Sequence, residues 1–120
     1  MKRLLLGSLD DIADGQAKGF DPDNTGNDTL FIVRKGRELF AYRDICPHYN
    51  DTSLPWKQHQ YLDGAGNYIV CAAHGALFNI DNGECVQGPC LGQGLDKIPV
   101  QISAENEIFI ESTIIKEFKL

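Results

Sequence analysis

The chain predicts an all-β fold, a small antiparallel sandwich or barrel, on three observations. Short runs rich in β-branched and aromatic residues recur along it, turn residues separate them, and no segment keeps a 3.6-residue apolar period over helical length. The 120 residues are expected to form one domain, 1–120, long enough for a modest core. Apolar residues make up 42% and aromatics 9%, which suits an ordered globular fold. No internal repeat, linker or low-complexity tract interrupts it.

Met1-Lys2-Arg3-Leu4-Leu5-Leu6 briefly imitates the start of a secretory leader, but Gly7-Ser8-Leu9-Asp10-Asp11 brings acids where the apolar run should continue. It reads as a first strand. The stretch from Gly15 to Asn27 is polar and turn-rich, and is expected to be a surface loop. Thr29-Leu30-Phe31-Ile32-Val33 and Leu39-Phe40-Ala41-Tyr42 should pair as a hairpin around Arg34-Lys35-Gly36-Arg37-Glu38, with Gly36 free to take a positive φ. Tyr68-Ile69-Val70 is a further strand. Leu77-Phe78-Asn79-Ile80 and Glu84-Cys85-Val86 should form another hairpin around a tight Asn82-Gly83 turn. Ile98-Pro99-Val100-Gln101-Ile102 and Glu107-Ile108-Phe109-Ile110 are expected to pair with each other around Ala104-Glu105-Asn106.

Composition also narrows the function. A net charge of −6 disfavours nucleic acid and anionic lipid, which need a basic footprint. It serves solubility, and it could steer the chain towards a basic partner surface. The longest apolar runs are far too short to cross a bilayer, so neither membrane nor leader is expected and the cytoplasm is the expected compartment. Four cysteines in that setting suit metal ligands or thiols better than disulfides.

Two boxes carry the chemistry: Cys46-Pro47-His48 and Cys71-Ala72-Ala73-His74, separated by residues 49–70. Each offers a thiolate and an imidazole at close spacing, and each follows a strand, so a rigid scaffold can present both from loops. Pro47 stiffens the first box, and Gly75 after the second lets backbone approach a ligand closely. Four such donors suit zinc or a mixed-ligand iron–sulfur cluster. Zinc ribbons mostly use Cys-x-x-Cys knuckles, so Cys-x-His is an atypical zinc spacing, and a chain of this size does not need zinc to hold its fold. Cys85 and Cys90 lie outside the boxes and read as small buried hydrophobes, with a pair oxidised only under stress as the alternative.

Cys-x-His followed by Cys-x-x-His resembles the Rieske family, in which two His replace two Cys on one iron of a 2Fe–2S cluster. The likeness spans nearly the whole chain, including Gly75, the Phe78-Asn79-Ile80 strand and Gly83-Glu84-Cys85. Gly88-Pro89 looks like the family's proline loop over the cluster. The resemblance implies a Rieske-type β fold with two cluster-binding loops and one 2Fe–2S cluster. Cys46 and Cys71 would hold the inner iron, and His48 and His74 the outer, solvent-facing one. The gap between the boxes is longer than small Rieske ferredoxins usually have, so Leu54 to Gly66 is expected to be a lengthened loop, with Trp56 and His59 as surface packing.

The resemblance also implies a potential. Two ferric ions and two sulfides leave a positive charge that two thiolates cancel, whereas four thiolates leave the centre negative and harder to reduce. High-potential relatives in cytochrome bc-type complexes add a disulfide between the loops and Ser and Tyr hydroxyls towards cluster sulfur. Here the disulfide positions are Asp51 and Ala73, and the hydroxyl positions are Ala76 and Phe78. A potential near the low end, about −150 mV or somewhat above, is expected. With His48 and His74 committed, only His59 remains, so the mononuclear iron site of a Rieske oxygenase cannot be built. No Gly-rich nucleotide turn or nucleophile–base pair suggests an enzyme or a small-molecule substrate. The leading expectation is a ferredoxin-like carrier between a reductase and an oxygenase or related oxidoreductase. The alternatives are the small Rieske-like subunit of a nitrite reductase, a cluster-bearing redox sensor and a zinc-stabilised interaction domain.

Overall fold

The computed structural model describes residues 3–21, 29–44, 61–63, 66–71, 76–88 and 94–111. Ten strands and one short 3₁₀ turn form within them: β1 (Arg3–Ser8), the turn at Leu9–Asp11, β2 (Ala17–Phe20), β3 (Leu30–Lys35), β4 (Glu38–Arg43), β5 (Tyr68–Cys71), β6 (Ala76–Asn79), β7 (Cys85–Gln87), β8 (Lys97–Ile98), β9 (Gln101–Ile102) and β10 (Glu107–Glu111). Every strand pair among them is antiparallel, and three sheets result, β1-β10-β9, β2-β3-β4-β8 and β5-β6-β7.

The second sheet is a shared wall. Side chains alternate across a strand, so an apolar run without interruption buries both faces. In β3, Leu30 and Ile32 enter a core with Ile108 and Ile110 of the first sheet. Phe31 and Val33 enter another with Ile69, Phe78 and Cys85 of the third sheet. In β4, Ala41 joins the first core and Tyr42 the second.

The β3–β4 hairpin forms as expected, with Gly36 at φ 63° and Lys35 paired to Glu38, so its turn is the two-residue kind. Other elements depart from expectation. β2 lies inside the stretch read as an early loop: it pairs with β3 from Ala17↔Val33 to Phe20↔Leu30, and buried Phe20 anchors it. Ile98 and Gln101 part company. β8 joins β4, and β9 joins β10, because Pro99 between them has no N–H to continue a ladder. The turn between β6 and β7 is wider than two residues, since Asn79 N–H donates to Glu84 O (2.9 Å) and Gly83 N–H to Asn79 O (2.8 Å). Gly83, at φ 71°, lies under the Tyr42 ring, where a Cβ would stand 2.6 Å from Cε1. Tyr42 spans the second core and donates its hydroxyl to Ile80 O at 2.6 Å.

Candidate metal centre

Both boxes follow strand ends. β4 stops at Arg43, and Asp44 then donates its N–H to Thr29 O (3.0 Å). Cys46, Pro47, His48 and Asp51 come next and lie outside the described residues, as do Trp56, His59 and Cys90. β5 ends on Cys71, whose backbone pairs with Ala76, the first residue of β6. The second box therefore belongs to the β5–β6 hairpin: Cys71 closes one arm, while Ala73, His74 and Gly75, between the arms in sequence, lie outside the described residues.

Two positions read as potential-setting, Ala76 and Phe78, share one face of β6 and are fully buried in the core with Tyr61 and Ile69. Neither side chain carries a hydrogen-bond donor. Gly88 takes φ +107° and packs flush on Ala76, where a Cβ would come within 2.7 Å of Ala76 Cα. Only glycine tolerates that approach, so Gly88 brings its segment against the root of the hairpin that carries Cys71 and His74. Pro89 lies outside the described residues. Cys85 is buried in the same core, with its thiol 3.4 Å from Gln87 O, as a small buried hydrophobe would be.

Two residues at the site were not singled out from sequence. Tyr61 falls in the stretch read as a lengthened loop, yet it is fully buried and stacks on Phe31 with ring centroids 4.2 Å apart. Val70 donates its N–H to Tyr61 O (2.8 Å), and Leu62 bridges Ile69, so residues 61–63 run alongside β5. The Tyr61 hydroxyl donates to Asp44 Oδ2 at 2.8 Å, and Asp44 is itself buried. A usable signal is present in the sequence: the Gly-rich, Asp/Asn-flanked run Asp63-Gly64-Ala65-Gly66-Asn67 reads as a turn between Tyr61-Leu62 and Tyr68-Ile69. Asp63 Oδ1 indeed accepts from Asn67 N–H (2.8 Å), and Gly66 sits at φ 72°.

These features fit a cluster held between two loops. The four donors expected from the sequence, two thiols and two imidazoles, are a set that suits a Rieske centre. The approaches to Cys46 and Cys71 meet at Tyr61, and Gly88 seats a third segment against the hairpin root. When bound, the cluster supplies one-electron redox chemistry; the chain supplies its ligands and a rigid, largely apolar frame.

Known proteins agree with that geometry. The family model described as the Rieske [2Fe-2S] domain matches residues 2–112. No curated protein matches the chain. Among solved structures, the ferredoxin of carbazole 1,9a-dioxygenase from Nocardioides aromaticivorans IC177 is similar with a TM-score of 0.69 and 22% identity, covering 92% of this chain and 97% of that one. The complex of reduced oxygenase and oxidised ferredoxin in carbazole 1,9a-dioxygenase gives 0.67 and 25% identity over 90% of this chain and 91% of that one. The Sphingomonas yanoikuyae B1 ferredoxin gives 0.68 and 22% identity over 92% and 99%. At the 22% identities the likeness is one of fold. The family model, however, runs through both Cys/His boxes, the strands that lead into them and the Gly88-Pro89 segment, and the chain belongs to the Rieske [2Fe-2S] domain family, with a Rieske-type 2Fe–2S cluster as its cofactor.

Proposed function

We propose that this chain, as one domain with one cluster, carries single electrons from a reductase to an oxygenase or related oxidoreductase and catalyses no reaction of its own. The observation that carries the reading is the β5–β6 hairpin. It ends one arm on Cys71, and it turns towards the core a face, Ala76 and Phe78, without a hydroxyl. A reduced cluster gains negative charge, which nearby donors would stabilise, so their absence favours a low potential. Cys46 and Cys71 are assigned to one iron, and His48 and His74 to the other. That leaves His59 as the one uncommitted histidine of the sequence's three, too few for a second iron site with two His and a carboxylate. The carbazole 1,9a-dioxygenase complex, in which an oxygenase and a ferredoxin are partners, supports the choice of partner class. Among the described residues no helix is long and apolar enough to cross a membrane, and we assign the chain to the cytoplasm.

Redox titration with EPR tests the proposal. The purified chain should be red-brown, give a Rieske signal on reduction and titrate at about −150 mV or somewhat above. A midpoint above about +100 mV would overturn the low-potential reading. Colourless protein would overturn the whole. His48→Ala and His74→Ala should each abolish the signal, and His59→Ala should leave it intact.

A further inference from the structure

We propose that Tyr61 is a positioning residue for the cluster, because it ties the chain leading to one ligand box to the chain leading to the other. The inference rests on the ligand assignment above. Its side chain reaches the first approach: the hydroxyl donates to Asp44 Oδ2 at 2.8 Å, and Asp44 stands two residues before Cys46. Its main chain reaches the second: the carbonyl accepts from Val70 N–H at 2.8 Å, and Val70 stands directly before Cys71. Its ring is fixed between these bonds by the stack on Phe31, which is 10° from parallel. Tyr61 is 0% exposed and Asp44 5% exposed, so water competes little for the hydroxyl–carboxyl bond.

The geometry answers a need visible in the sequence. Asp51 and Ala73 give the two loops no covalent link, and residues 49–70 separate the boxes along the chain. A centre whose ligands come in pairs from two loops holds its shape only if the loops keep their spacing. Tyr61 lies within that long separating stretch. Part of the added length therefore returns to the core and spans the two approaches. A phenylalanine at position 61 would keep the stack and the main-chain bond and delete the link to Asp44.

The experiment uses the intact, cluster-loaded chain and five variants. Tyr61→Phe and Asp44→Ala should each bleach about tenfold faster than wild type in a chelator, a factor equivalent to about 1.4 kcal/mol. Each should also broaden or shift the EPR signal of the reduced protein. The Tyr61→Phe/Asp44→Ala double variant should bleach no faster than either single one, the mark of one shared interaction. Asp44→Asn keeps an acceptor oxygen and should recover most of the wild-type rate. Tyr42→Phe is the control. It deletes another buried tyrosine hydrogen bond, one that ends on Ile80 in the β6–β7 turn instead of a ligand approach. It should lower the melting temperature without altering bleaching or EPR. The proposal is overturned if Tyr61→Phe keeps the wild-type rate and signal. It is equally overturned if Tyr42→Phe bleaches as fast as Tyr61→Phe, since the effect would then be general loosening. Failure of the ligand assignment looks different, as a Rieske signal that survives His48→Ala or His74→Ala.

Discussion

At the scale of single residues, burial acts most visibly on Tyr42. Loss of hydration, with the Asp81 charge adding to it, pushes its hydroxyl up from 10.0 to about 12. The folded state then keeps a proton that the unfolded chain releases. Tyr42 contributes its full share of stability below pH 10, and that share is lost as pH rises towards about 12. The full loss should be about 3 kcal/mol, about half of it reached by pH 11. Denaturant melts at pH 9 and pH 11 should show the drop, and Tyr42→Phe should flatten it. Individual residues were legible from sequence where their chemistry is local. The four Cys and His ligand candidates stand out because each pair sits within one short box. The Asp44–Tyr61 bond did not, because its partners are 17 positions apart and neither position says that its side chain turns inward. The Tyr42–Gly83 contact was hidden for the same reason: Asn82-Gly83 announces a turn and not the ring above it.

Elements depend on their neighbours, and the glycine between β7 and Pro89 makes this testable. Gly88→Ala adds a Cβ at φ +107° and 2.7 Å from the Ala76 backbone, so either the segment or the hairpin root must move. A left-handed alanine alone costs about 1–2 kcal/mol. The expected outcome is a lower melting temperature together with faster chelator bleaching. Gly83→Ala strikes the Tyr42 ring instead and should lower the melting temperature with bleaching unchanged. The β3–β4 hairpin was readable because both strands are apolar on both faces and Gly36 marks the turn. β2 was not, because an edge strand pairs on one side only and Lys18-Gly19 are weak strand formers; only Phe20 hinted at burial. The separation of β8 from β9 turns on Pro99, whose effect depends on which sheet waits on either side.

At the scale of the whole molecule, charge and cooperativity govern behaviour. A net charge of −6 should steer the chain towards a basic partner surface, and salt screens such steering with a Debye length of about 8 Å at physiological strength. Reduction by a reductase of the proposed kind should slow steadily as salt rises in stopped-flow measurements; a flat profile would leave the charge with solubility alone. Fold class was legible at this scale because the apolar periods are short throughout. The three-sheet arrangement was not, since periodicity marks buried faces without saying what covers them. β3 has a consequence of its own. Its amides are enclosed between two cores, Leu30 and Ile32 facing one and Phe31 and Val33 the other. They can exchange with solvent only when both cores open, so they should be among the slowest-exchanging protons and should report global unfolding. Because β3 is shared by both cores, whatever steadies one core protects the other as well, and loading the cofactor should raise the melting point of the β1–β10 sheet together with that of the β5–β6 hairpin.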